Sequence, residues 1–241
     1  MLKHINLSVF RFKHFSIRQE NSALKVGTDS MLLGSLVDAD SLGYILDVGT
    51  GCGVLSLMMA QRFPNAFISA LEIDNDSCID AQLNFTESTW LDRLELIRKD
   101  FFEFSSSIKF DLIISNPPFH FEEVKSENSR KNKAKRWTKS EFQQFYAKCA
   151  ELSHLGTDLF LIVPYLWHVE HLTLATSFGW QAHQKIIIHS SIEKQNSRVV
   201  INFKREILNE CMVSEITIRN IDGTYSDEYI VLTKEFHGVA L

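Results

Sequence analysis

The stretch Tyr44-Ile45-Leu46-Asp47-Val48-Gly49-Thr50-Gly51-Cys52-Gly53-Val54 decides how this 241-residue chain is read. A short apolar run ends in three alternating glycines, and Val54-Leu55-Ser56-Leu57-Met58-Met59-Ala60 then has the look of a helix. Glycines at such a strand-to-helix turn let the backbone bend tightly and come close to a ligand. The third glycine of the dinucleotide fingerprint is missing, because Val54 stands in its place, and no Lys-Ser/Thr follows as in a phosphate-cradling loop. Alone, the turn is a weak signal, since structural turns of this kind are common.

Outward from it, strands and helices alternate. Strands are expected at Phe67–Leu71, Leu94–Lys99, Phe110–Ser115 and Leu159–Val163, with helices at 54–62, 75–86 and about 140–152 between them. Such alternation predicts βαβ units and a mostly parallel sheet. Gln184–His189 and Val199–Lys204, split by a polar turn, predict an antiparallel hairpin that closes the sheet. The expected organisation is one domain: an extension over residues 1–43, a core over 44–205, and a C-terminal strand and helix over 206–241.

Composition is that of an ordinary soluble protein, 45% hydrophobic and 23% charged, and no apolar run approaches the roughly 20 residues needed to span a bilayer. The N-terminus lacks the apolar core of a secretory signal. Cys52, Cys78, Cys149 and Cys211 form no CxxC pair, and the nine histidines form no HExxH pattern, so free thiols in a reducing cytoplasm and no metal are expected. The net charge of −5 conceals a basic segment in which Lys125, Arg130, Lys131, Lys133, Lys135, Arg136 and Lys139 surround Trp137. That segment can hold phosphates locally, or be no more than a solvated loop.

The chemistry lies at successive strand ends. Glu72 follows the glycines by about 20 residues, where a carboxylate can take the two hydroxyls of a ribose. Asp100-Phe101, after the third strand, could flank an adenine. The fourth strand ends in Asn116-Pro117-Pro118-Phe119, whose prolines forbid a smooth passage into helix and keep Asn116 extended. An amide oxygen, free carbonyls and an aromatic face suit the gripping of a planar group that carries an NH2. A ligand with adenosine but no pyrophosphate needs the sugar contact more than a helix-end anion site. S-adenosyl-L-methionine is such a ligand, and Asp47 would sit beside its cationic amino-acid end.

In this order Asp47–Gly53, Glu72, Asp100 and Asn116–Phe119 resemble the signatures of class I S-adenosylmethionine-dependent methyltransferases. Phe10–Phe15, Ala23–Ser30, Met31–Gly34, Tyr225–Tyr229 and Leu232–Phe236 resemble, more closely, the bacterial tRNA(Val) adenine-N6 methyltransferases. The likeness runs from about residue 8 to about residue 237. One departure is Phe119, where Tyr is common; the stacking face is kept and a hydroxyl is lost. The resemblance implies an α/β, Rossmann-like fold with a seven-stranded, mostly parallel sheet, an antiparallel C-terminal hairpin and helices on both faces. It implies methyl transfer to the adenine N6 3′ to the anticodon, with Asn116, Pro117 and Phe119 catalytic. The cofactor residues it implies are Lys25, Thr28, Asp29, Asp47, Gly49, Thr50, Gly51, Glu72, Ile73, Asp100, Phe101 and Asn116. By themselves, Thr28 or Asp29 would read as the cap of a helix through Leu36. Arg130, Lys131, Lys133, Lys135, Arg136 and Trp137 are expected to meet the tRNA, and the enzyme to act as a monomer. Other acceptors stay open at this point: a protein glutamine amide, DNA adenine or rRNA guanine.

Overall fold

The computed structural model describes residues 9–22, 24–39, 42–118, 137–194, 196–206 and 210–237. Strands β1 (Val9–Arg11) and β2 (Ser16–Arg18) form a small antiparallel pair, and helix α1 (Thr28–Leu36) follows. Then come β3 (Tyr44–Val48), α2 (Val54–Arg62), β4 (Phe67–Glu72), α3 (Asn75–Glu87), β5 (Leu94–Arg98) and β6 (Phe110–Ser115). Next in the chain are α4 (Lys139–Leu152), β7 (Ser153–Pro164), α5 (His168–Thr176), β8 (Gln181–His189), β9 (Arg198–Lys204), β10 (Met212–Thr217) and α6 (Asp227–Thr233).

The main sheet has the order β10-β8-β9-β7-β6-β3-β4-β5. The sheet thus has eight strands rather than the expected seven, because Met212–Thr217 adds a parallel edge strand to β8. Its sequence, Met-Val-Ser-Glu-Ile-Thr, alternates weakly and is mostly exposed, so it lacks the continuous apolar run that marks strands buried on both faces. β9 runs antiparallel to both β7 and β8, as the expected hairpin requires.

Neighbouring residues of the central strands point to opposite faces. Ile45, Ala70, Leu112, Ile114, Phe160 and Ile162 pack with α1, α2 and α6 on one side. Leu46, Leu71, Ile113, Leu159, Leu161 and Ile201 pack with α4 and α5 on the other. Close packing of α1 on α2 uses a glycine: a Cβ at Gly34 would stand 2.4 Å from the Met58 methyl.

The chain leaves β3 first toward β4 and β5, then returns so that β6 pairs with the other side of β3. Between β3 and β6 the sheet order therefore reverses, and in open α/β sheets ligands bind outside the strand carboxyl ends at such a point. The β3–α2 turn and Asn116 stand there side by side.

Candidate active site

A cavity of about 420 Å³ opens at this reversal, within the range of small-molecule sites. One wall is Gly49, Thr50, Gly51 and Cys52 from the turn after β3; another is Asn116, Pro117 and Pro118 after β6; the third is residues 24–30, leading into α1. Ser115 Oγ donates to the Val48 carbonyl at 2.8 Å, which ties the ends of β6 and β3 together and brings Asn116 beside the glycines.

The turn needs its glycines. Gly49, Gly51 and Gly53 have φ of 73°, 58° and 86°, a region that residues with a side chain enter at a cost. No heavy atom lies within 4 Å of where a Cβ would stand on Gly49 or Gly51, so their backbone faces open space. At Gly53 a Cβ would meet the Phe85 ring at 2.5 Å. The first two glycines keep the turn open to a ligand, and the third lets α2 pack against α3.

Asp47 lies below the turn, fully buried. Its Oδ2 accepts from Thr50 Oγ1 at 2.6 Å and Ser56 Oγ at 2.7 Å, while Oδ1 is buried without a partner. Burial pushes its pKa up to about 6, against the opposing effect of those two hydroxyls. Asp47 does not line the cavity itself, whereas Thr50, which donates to it, does.

Glu72, at the end of β4, accepts from the Gly51 N–H at 2.8 Å with Oε2, and from the Ile73 and Asp74 N–H groups at 2.8 and 2.9 Å with Oε1. Ile73 is 62% exposed. Asp100 is half-buried and accepts from the Phe102 N–H at 2.9 Å. Phe101 is buried against Phe145 and Phe102 in the core on the α4 side. None of these four lines the enclosed cavity. The enclosed part of the site thus joins the glycine turn to residues 24–30 and Asn116, while Glu72, Ile73, Asp100 and Phe101 mark the adjoining strand ends.

Lys25, Thr28 and Asp29 all line the cavity. The helix cap is Gly27, and no side chain makes a capping bond there, so neither Thr28 nor Asp29 is spent as a cap. Asp29 Oδ2 instead accepts from Arg198 Nε at 3.0 Å, tying α1 to the start of β9. Lys25 Nζ donates to the Gln19 carbonyl, and Val26 N–H donates to Gln19 Oε1 at 2.6 Å. Gln19 and Arg198 escaped the sequence reading. Gln19 lies just before the Ala23–Ser30 element but in no pattern of its own, and Arg198 is 169 residues from Asp29 and reaches it only in the fold.

Asn116 lines the cavity, and its Oδ1 is buried with no hydrogen-bond partner among the described residues. A buried acceptor left unmade is costly, so this atom suits an N–H donor. With Gly49 and Gly51 open and the Asp29 carboxylate and Asn116 amide among the lining, the acceptors present fit S-adenosylmethionine, whose methionine end carries an ammonium and whose sulfonium is cationic. Phe119, Arg130, Lys131, Lys133, Lys135 and Arg136 lie outside the described residues. Trp137 is half-buried, with its ring against Phe102, Phe142 and Phe145 at 5.5, 5.3 and 5.4 Å. A base could reach only its remaining exposed edge.

The chain matches the family described as Methyltransferase small domain over residues 21–135. It is 37% identical to a tRNA1(Val) (adenine(37)-N6)-methyltransferase of Phocaeicola vulgatus, covering 95% of this chain and 97% of the relative. The chain belongs to the tRNA1(Val) (adenine(37)-N6)-methyltransferase family. A family member from Vibrio campbellii is 33% identical over 98% of both chains. Among solved structures, a predicted O-methyltransferase from Agrobacterium tumefaciens superposes with a TM-score of 0.67 at 17% identity, covering 89% of this chain and 98% of that one. At that identity the likeness establishes the shared methyltransferase fold. No helix among the described residues is long and apolar enough to cross a membrane.

Proposed function

We propose that this chain transfers a methyl group from S-adenosylmethionine to the exocyclic N6 of an adenine in tRNA, the adenine 3′ to the anticodon of tRNA1(Val). The observation that carries the reading is Asn116 Oδ1, a buried acceptor with no partner among the described residues, on a residue that lines the glycine-turn cavity. The names of the full-length relatives support the tRNA acceptor.

Bound S-adenosylmethionine supplies an electrophilic methyl group on a sulfonium. Gly49, Thr50 and Gly51 let backbone approach it closely, Asp47 sets a negative charge beneath the turn, and Lys25, Thr28 and Asp29 close the methionine side. Glu72, with Ile73 beside it, would take the ribose, and Asp100 would stand beside the adenine of the cofactor, while Phe101 stays in the core behind it. The target N6 is a poor nucleophile, because its lone pair is delocalised into the ring. Asn116 Oδ1 and the Pro117 carbonyl each accept one N6–H, which draws the nitrogen toward tetrahedral geometry and frees the lone pair. The same two acceptors stabilise the positive charge that grows on N6, an electrostatic effect in place before transfer. Phe119 stacks on the base, a contact worth roughly 1–3 kcal/mol. Asn, Pro, Pro and Phe include no general base, so the proton passes to water after transfer. The adenine must leave its stack, which is easier from an anticodon loop than from a duplex. The basic segment with Arg130, Lys131, Lys133, Lys135, Arg136 and Trp137 meets tRNA phosphates or bases. We place the reaction in the cytoplasm, in a single chain without a metal.

The test is incubation with radiolabelled S-adenosylmethionine and unmodified tRNA, total protein or DNA, followed by nucleoside analysis. Label in N6-methyladenosine of tRNA is expected. Label in protein, or in another nucleoside, overturns the reading.

A further inference from the structure

One wall of the cavity has no sheet behind it. The described residues between β2 and α1, 19–22 and 24–27, belong to no strand or helix, yet residues 24–27 line the site. What holds this wall is a polar face of α3. Asp80, 1% exposed, spreads its carboxylate over four donors: the Asn21 N–H at 2.9 Å, Asn21 Nδ2 at 2.8 Å, the Ser22 N–H at 2.7 Å and Ser22 Oγ at 2.7 Å. Three of these donors converge on Oδ2 and the Asn21 side-chain amide reaches Oδ1.

One turn further along the same face, Asn84 is also 1% exposed. Its Oδ1 accepts from the Arg18 N–H at 2.7 Å, and its Nδ2 donates to the Arg18 carbonyl and to the Cys52 carbonyl, each at 2.8 Å. Arg18 leads into the unsupported wall; Cys52 belongs to the opposite wall, the glycine turn. One amide therefore joins the two walls, and helix spacing of i, i+4 places both polar side chains to do so.

We infer that Asn84, with Asp80, is a positioning residue for the methyl donor: it sets the separation of the two cavity walls without touching the reacting atoms. This inference rests on the proposed use of the cavity. Removing the amide lets both walls drift, which weakens cofactor binding but leaves the Asn116 chemistry intact once the donor is bound.

The test measures S-adenosylmethionine binding by calorimetry beside kcat and KM with tRNA. Asn84→Ala is expected to raise Kd and KM for S-adenosylmethionine about tenfold or more, with kcat changed less than about threefold. Asn84→Asp keeps the acceptor for the Arg18 N–H but turns an oxygen toward two carbonyls, and is expected to behave as badly. Glu87→Ala removes the exposed partner of Arg18 on the same helix and should leave Kd unchanged. A lowered unfolding temperature with an unchanged Kd in Asn84→Ala would reduce the residue to a structural one and overturn the inference. Should Asn84→Ala not fold, Ser22→Ala loosens the same wall more gently; an expected rise in Kd of about threefold supports the inference, and no change overturns it. Because Kd is read without any methyl acceptor, the outcome is separate from whether tRNA is the substrate.

Discussion

The N–H of Gly51 donates to the carboxylate of Glu72 at 2.8 Å, a bond across 21 residues that fastens the glycine turn after β3 to the end of β4. Glu72 Oε1 meanwhile takes the first two N–H groups beyond its own strand. A residue expected to take the ribose hydroxyls therefore also braces the turn that approaches the donor. Both roles use acceptor sites of one carboxylate, which has about four.

Glu72→Gln keeps the shape but replaces an acceptor oxygen with an NH2 that would face an N–H. We expect a loss of stability of about 1–2 kcal/mol by denaturant titration, together with at least a tenfold weaker Kd for S-adenosylmethionine. Destabilisation with unaltered affinity would leave Glu72 only the bracing role.

Asn116→Ala should separate binding from transfer. Asn116 lines the cavity, and its amide oxygen pairs with nothing among the described residues, so its loss removes no hydrogen bond made there. Calorimetry should give an S-adenosylmethionine Kd within about threefold of the parent, while single-turnover transfer falls by about a hundredfold or more, as for the removal of one preorganised electrostatic group. Transfer near the parent rate would disprove the acceptor role.

The glycines of the turn should differ in how they fail. Gly53→Ala combines a left-handed backbone with a Cβ 2.5 Å from the buried Phe85 ring, and we expect about 2–4 kcal/mol of destabilisation. Gly49→Ala meets no atom within 4 Å, so only about 1–2 kcal/mol of backbone strain is expected. The new methyl would instead enter the space open to the ligand, and its effect should appear mainly in Kd.

Asp47 gives a pH dependence with a definite sign. Its ordinary value is 3.8 and burial raises it to about 6 in the fold. Its contribution to stability is fully present below about pH 4 and is lost as pH rises through about 6, on the order of 3 kcal/mol in all. Asp47→Asn removes that slope, so denaturation at pH 4.5 and 7.5 (about three units apart) should show the variant gaining on the parent at the higher pH. Because the cationic donor favours the ionised carboxylate, the parent's S-adenosylmethionine affinity should also weaken as pH falls through about 6. A parallel pH profile for parent and variant would mean that Asp47 does not titrate there.

The Asp29–Arg198 pair, at 3.0 Å with side chains 26% and 34% exposed, links the start of α1 to β9. A double-mutant cycle on the two alanine variants should give a coupling of about 0.5–1 kcal/mol in stability. Absence of coupling would mean that solvent screening cancels the pair.

The strands and helices that carry the motifs were legible in the sequence, and so was the strand-end placement of Asp47, Glu72, Asp100 and Asn116. The reason is that fully buried parallel strands must be apolar throughout, and that three glycines or two prolines at a strand end admit few backbone paths. The sequence places a strand somewhere in 206–241 but does not announce that Met212–Thr217 joins the main sheet as its eighth strand. An exposed edge strand buries too little to need an apolar pattern, and main-chain pairing with β8 specifies it instead. Only the tertiary structure decided that Phe101 and Trp137 pack into the core on the α4 side, since an aromatic ring reads alike in a core and in a binding wall. The wall that leads into α1 is likewise invisible to periodicity: Asp80 holds Asn21 and Ser22, Asn84 holds Arg18 and Arg198 holds Asp29, pairs far apart in sequence. The glycine turn and Asn-Pro-Pro element were written locally because backbone stiffness is local. The cavity between them was not, because it depends on the return of β6 to the free side of β3 and on hydrogen bonds that exist only once the chain has folded.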